Sequence, residues 1–114
     1  MRIYIAGAYT SPDPAIVREN VERAIEAGRQ VYLKGHIPIV PHVTHYLHTE
    51  WLKQGTDAPY GFWVRLGLYQ LHHCEALLLL PNWSQSKGAR VEFAEAIEME
   101  IPIYFDVEDV PDED

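Results

Sequence analysis

Residues Ala76 to Leu80 read ALLLL, an unbroken apolar run that stops at Pro81. Five residues are too few for most helices, and a run without polar alternation has no solvent face. The segment therefore predicts a strand covered on both sides, as in a parallel sheet. The residues that follow, Pro81-Asn82-Trp83-Ser84-Gln85, make a short polar connection, and a helix is expected to begin near Ser86. Open α/β sheets place their ligands outside the carboxyl ends of strands, so this connection is the first place to look for chemistry. Ser86, Lys87 and Gly88 are expected to present free backbone N–H groups to the crevice, with Glu92 a turn or two further into the helix.

The remainder of the chain falls into the same alternation. Ile3 to Ala6 reads as a first buried strand ending at Gly7, with Ala8, Tyr9 and Thr10 as the turn out of it. Ser11-Pro12-Asp13-Pro14 supplies a cap and a proline at the first helical position. From Pro14, residues Val17, Val21, Ala24, Ile25 and Gly28 recur at helical spacing, and Gly35 terminates the helix. Ile37 to Val40 reads as the second strand, completing a βαβ unit of right-handed, parallel pairing. Pro41 to Pro59 is irregular and reads as a long loop with at most a short helix. Tyr60 to His73 and Lys87 to Glu100 read as helices, and Ile101 to Phe105 as a last strand. The prediction is a doubly wound α/β fold, Rossmann- or flavodoxin-like, with three layers around four or five parallel strands.

The chain has 114 residues, enough for one domain with one core. Its net charge is −8, but Asp106, Glu108, Asp109, Asp112, Glu113 and Asp114 hold six of the 17 acids. The body without them carries 11 acids against 9 bases. Residues 1–105 thus read as a nearly neutral domain and 106–114 as a solvated acidic tail, an arrangement that excludes nucleic-acid polymers as the main partner. Cys74 is the only cysteine, which rules out an internal disulfide or a cysteine-based zinc site. The apolar runs are strand-sized and no signal peptide is evident, so a soluble, cytoplasmic protein without membrane contact is expected.

Among the candidate residues, Glu92 stands on the shoulder of a stripe formed by Ala89, Phe93, Ala96 and Ile97, half inside the fold. The plainer alternative is a helix acid paired with Arg90 or Lys87. Tyr4 alternates with Ile3 and Ile5, faces the opposite helical layer, and needs a partner for its hydroxyl. Gly7-Ala8-Tyr9-Thr10 sits where nucleotide-binding folds contact phosphate, yet neither the dinucleotide fingerprint nor a P-loop is present. His42, His45 and His48 recur every third residue, a spacing that turns imidazoles away from one another and suits no metal. Cys74 reads as a small core residue. Trp51, Trp63 and Trp83 either line a pocket for a flat base or fill the core.

Together, Ile3-Tyr4-Ile5-Ala6-Gly7-Ala8-Tyr9-Thr10, Asn20, Pro41-His42 with His45, Leu77 to Leu80 with Trp83, and Ser86-Lys87-Gly88-Ala89 with Glu92 resemble the nucleoside 2-deoxyribosyltransferase-like group, and most closely its short, uncharacterised branch. The resemblance implies chemistry at the N-glycosidic bond of a nucleoside or nucleotide, without a cofactor. Glu92 would be the nucleophile and Tyr4 would hold its carboxylate. Gly7, Ala8, Tyr9, Asn20, His45, Trp83, Ser86 and Gly88 would contact the substrate, with room for a 5′-phosphate. It also implies self-association, with the histidine-rich loop and Trp51 as the expected contact. Two positions depart from the short branch's pattern: Gly67 replaces an aspartate expected four residues after Trp63, and Cys74-Glu75 replaces Cys-Asp. The first leaves Glu75, His45 or His42 as alternatives for protonating the departing base. Two other readings stand beside the enzyme: a nucleotide- or nucleotide-sugar-sensing module on the same scaffold, and an interaction protein acting through its acidic tail.

Overall fold

The computed structural model describes residues 1–113. Four strands, β1 (Arg2–Ala6), β2 (Ile37–Ile39), β3 (Ala76–Leu79) and β4 (Ile103–Tyr104), form one all-parallel sheet in the order β2-β1-β3-β4. Tyr4 pairs with Ile39 on one side and Leu77 on the other, so β1 is central. Four helices flank the sheet: α1 (Pro14–Leu33), α2 (Thr44–Lys53), α3 (Tyr60–His72) and α4 (Lys87–Met99). The chain is a doubly wound α/β domain whose strand order reverses between β1 and β3, and a ligand crevice is expected at that switch point.

The strand alternation sorts side chains into two cores. Ile3, Ile5 and Leu78 pack with Ala24 and Val31 of α1 on one face. Tyr4, Ala6, Leu77 and Leu79 pack with Leu71 of α3 and Ala89 and Ala96 of α4 on the other. Asp13 caps α1 by accepting from the Ala15 N–H at 2.9 Å, with Pro14 at the first position. Ser86 caps α4 in the same way through Ala89 N–H at 3.1 Å. At Gly7 the chain passes so close to Leu80 that an added Cβ would lie 2.7 Å from Leu80 Cδ1.

Three expectations are corrected. The segment after β2 is not mainly loop: a 3₁₀ turn at Pro41–Val43 leads directly into the ten-residue α2. None of the α2 residues is buried: its apolar residues, Tyr46, Leu47 and Leu52 among them, stay largely exposed, and a segment of ten residues interrupted by histidines gives only a short periodic signal. The stripe of α4 contains Phe93 and Ala96 but not Ile97, which is 52% exposed, and on α1 Ile25 is likewise exposed. Finally, residues 106–113 are not a free tail. Val107–Asp109 form a 3₁₀ turn and Val110 joins the Ile3 core. Lys34 Nζ donates to the Val110 carbonyl at 2.8 Å, and the Glu113 N–H donates to the Lys34 carbonyl at 2.8 Å. Acid content misled because one apolar residue, Val110, outweighs it once the neighbouring carbonyls find donors. Among the described residues, no helix is long and apolar enough to cross a membrane.

Val110→Ala is expected to lower stability to urea by about 1–3 kcal/mol, as for a buried methyl deletion. Ile97→Ala on α4 should change it by no more than about 0.5 kcal/mol. Equal effects of the two substitutions would contradict the packing described.

Candidate active site

The carboxyl end of β1, the turn after β2, α2, α3 and the start of α4 line an open cavity of about 410 Å³. At its floor Tyr4 reaches out of the central strand and its hydroxyl donates to Glu92 Oε2. Tyr4 is fully buried, and burial first, then the adjoining carboxylate, push its hydroxyl pKa well above the usual phenol range. Burial likewise raises the Glu92 carboxyl to about 7, against which the Tyr4 hydrogen bond acts. No basic group offsets that burial: among the described residues Glu92 forms no ion pair, and Arg90 instead donates to the Ser84 carbonyl at 2.9 Å. The simple helix ion pair is thereby replaced by a carboxyl held by a phenol in a hollow.

Gly67 explains how this pair fits. A Cβ there would lie 2.9 Å from both Glu92 Oε2 and the Tyr4 hydroxyl. The backbone of α3 thus forms the third side of the seat, and a glycine is what lets two polar groups approach it. The position of the expected aspartate is next to the Glu92 carboxyl, and in this chain the space a side chain there would need is taken by the Glu92–Tyr4 pair itself.

Of the other candidates, Gly7, Tyr9, Ser86 and Gly88 line the cavity with Glu92 and Tyr4, whereas Ala8, Asn20, His45 and Trp83 lie outside its lining. Three of these four are used to shape the loop after β1. Asn20 donates to the Tyr9 carbonyl at 3.2 Å, the Ala8 N–H donates to Asn82 Oδ1 at 3.3 Å, and His45 Nδ1 bonds the Tyr9 hydroxyl at 2.9 Å. Trp83 stacks instead on Phe93, with ring centres 4.7 Å apart, and against Phe105. Only Trp63 of the three tryptophans lines the cavity, and Trp51 packs behind it. At the start of α4 the Ser86 N–H is committed to the Trp83 carbonyl, so the free donors are those of Lys87 and Gly88.

The three loop histidines have separate partners. His42 Nε2–H donates to the Ala8 carbonyl at 3.2 Å, His45 bonds Tyr9, and His48 bonds Asp57. Among the described residues no three side chains of metal-ligating type converge. Cys74 is a core residue whose thiol burial pushes up to about 11. Glu75 binds Arg2 beside the amino ends of β1 and β3, at the opposite end of the strands from the cavity. The sequence points to the connection that holds Asn82 and to His48 as one of three recurring histidines, without placing either beside Glu92. Asp57 and Gln70, which also line the cavity, carry no signal of their own.

Fold and site together define a switch-point α/β protein with a buried, phenol-held carboxyl in a ligand-sized cavity. Residues 1–105 match the model of the family described as Domain of unknown function (DUF4406), and the chain belongs to that family. None of the curated proteins matches it.

Because Glu92 binds its proton more tightly folded, near 7, than the ordinary carboxyl near 4.5, its contribution to stability is present in full below about 4.5. That contribution is lost as pH rises through about 7, a fall on the order of 3 kcal/mol from this group. Denaturant melts from pH 4.5 to 8 should show the slope in the native protein and its loss in Glu92→Gln. Gly67→Ala should dislodge the pair and lower stability by about 1–3 kcal/mol, read from the same melts.

Proposed function

We propose that the protein cleaves or transfers at the N-glycosidic bond of a deoxynucleoside or nucleoside 5′-monophosphate, in the manner of the nucleoside 2-deoxyribosyltransferase-like group it resembles. The observation that carries this reading is the Glu92 carboxyl, fixed by Tyr4 and Gly67 on the cavity floor and in no ion pair among the described residues. Such a group has a use at a carbon that becomes positively charged. In its ionised form Glu92 attacks the anomeric carbon as the carbon–nitrogen bond breaks, and the resulting glycosyl ester is resolved by water or a second base.

The surroundings fit that substrate class. Trp63 offers an aromatic surface, and the free N–H groups of Lys87 and Gly88 at the start of a 13-residue helix suit an anionic 5′ group. The Tyr4 hydrogen bond lowers the carboxyl pKa that burial raises, keeping a fraction ionised near neutrality. A small-molecule partner is also what the shape favours, since the site is a hollow rather than a surface track.

Incubation with a 2-fluoro-arabinosyl nucleoside, followed by mass spectrometry, should give a covalent adduct on Glu92 that Glu92→Gln does not form. Turnover should fall by about 10³-fold or more in Glu92→Gln. In the native protein it should rise with pH through about 7, where the nucleophile ionises. Saturable nucleotide binding without adduct or base release would instead favour a sensing module.

A further inference from the structure

The far wall of the cavity carries a second pair of titratable groups. His48 of α2 and Asp57 of the α2–α3 connection both line the hollow that holds Glu92, and His48 Nε2 lies 3.0 Å from Asp57 Oδ1. Three segments converge to build this pair. The His48 ring rests on the Trp63 indole of α3, centres 5.0 Å apart, and Trp63 Nε1 donates at 3.2 Å to the carbonyl of Ala58, next to Asp57.

As a stabilising contact the pair has little value, because Asp57 is 75% exposed and ion pairs in water contribute weakly to folding. Its placement is more informative. Trp63 and Gly67 are four residues apart on one face of α3, about 6 Å along the axis. Gly67 touches Glu92 and Trp63 touches His48, so carboxyl and imidazole stand at the two ends of one helical turn, with the cavity alongside.

The proposed reaction lacks one component that this wall supplies. A nucleobase leaves readily only when a proton reaches it as the bond to sugar breaks. Gly67 has no side chain to provide it, Glu75 is at the other end of the sheet, and His45 lies outside the cavity lining. His42 does line it and its Nδ1 has no partner, but it is buried, and burial disfavours the charged form that would give up a proton. An imidazole holding one ring nitrogen on a carboxylate keeps the other for a ligand, and imidazole is the side chain most often used as a general acid.

Resting on the glycosidic reading above, we propose that His48, oriented by Asp57, is the acid that protonates the departing base opposite Glu92. In the first step the carbon–nitrogen electron pair goes to the base, which takes the Nδ1 proton of imidazolium, while a Glu92 oxygen bonds to the anomeric carbon. Nε2–H stays on Asp57. In the second, neutral Nδ1 accepts a proton from the water that displaces Glu92, restoring both groups. Asp57 is a positioning residue and His48 a catalytic one.

The test compares deoxyadenosine with 7-methyl-2′-deoxyguanosine, whose cationic base leaves without a proton. His48→Asn should lose about 10²–10⁴-fold in kcat/KM on the first and less than about tenfold on the second. Asp57→Asn, a change at an exposed site, should show the same contrast more weakly. Equal losses on both substrates, or none, overturn the proposal while leaving Glu92 in place. A native protein that cleaves neither substrate and forms no Glu92 adduct overturns the glycosidic reading instead. The ¹⁵N signals of His48 decide the matter apart from turnover: Nδ1 should shift on saturation with deoxyadenosine, and a signal that stays still sinks the proposal.

Discussion

A carboxyl taken out of water inside an α/β domain needs compensation, and here it receives a single hydrogen bond from a tyrosine on the central strand. That contact constrains much else. Tyr4 can reach Glu92 only if β1 is in register with both neighbours, if α4 begins where Ser86 caps it, and if α3 offers a bare backbone at Gly67. The cost of burying the group is visible in a carboxyl near 7, because one phenol replaces only part of the lost hydration. A position merely structural would be better served by an apolar residue. A carboxyl held in this way is what the proposed reaction asks for, and perturbed groups in clefts are common at functional sites.

The two ends of the sheet divide the work. Beside the amino ends of the strands, the Met1 ammonium donates to His36 Nδ1 at 2.9 Å and His36 Nε2–H donates to the Pro111 carbonyl, tying Met1 and the segment at Pro111 to the turn after α1. Val110 closes the core at the same side. At the carboxyl ends the backbone is instead shaped by the buried Asn20 and by Asn82, which hold the loop after β1 open around a hollow. Polar side chains there fix backbone rather than fill space, which is what a site requires of its scaffold.

The fold was readable because its signals are local. A run such as Ala76–Leu80 admits few environments, and Asp13-Pro14 and Ser86 mark helix starts by capping chemistry that needs no tertiary partner. Glu92 and Tyr4 were readable as a pair only through the resemblance, although the alternation at Tyr4 independently placed its hydroxyl in the layer of α3 and α4. What stayed hidden depends on contacts between distant segments. Nothing around Val110 distinguishes it from solvated acid-rich chain until Lys34 and Glu113 are seen to close over it. The resemblance puts Asn20 and Trp83 at the substrate, but one braces a loop and the other fills an aromatic cluster with Phe93 and Phe105.

The wall carrying His48 is built differently from the floor carrying Glu92. The floor rests on β1, α3 and α4, whose contacts are among the fully buried ones of the molecule. The wall is held by α2, which buries no residue, and by aromatic contacts of Trp51 with Phe62 and Trp63. Aromatic faces tolerate small changes of angle at low cost, whereas a hydroxyl–carboxyl contact with a backbone at its side does not. A buried floor facing a wall of aromatic contacts would suit the proposed reaction, in which the sugar carbon is the fixed point and the base is the part that can differ. In such a site the nucleophile must be held to a fraction of an ångström, while the group that meets the base has to accept more than one outline.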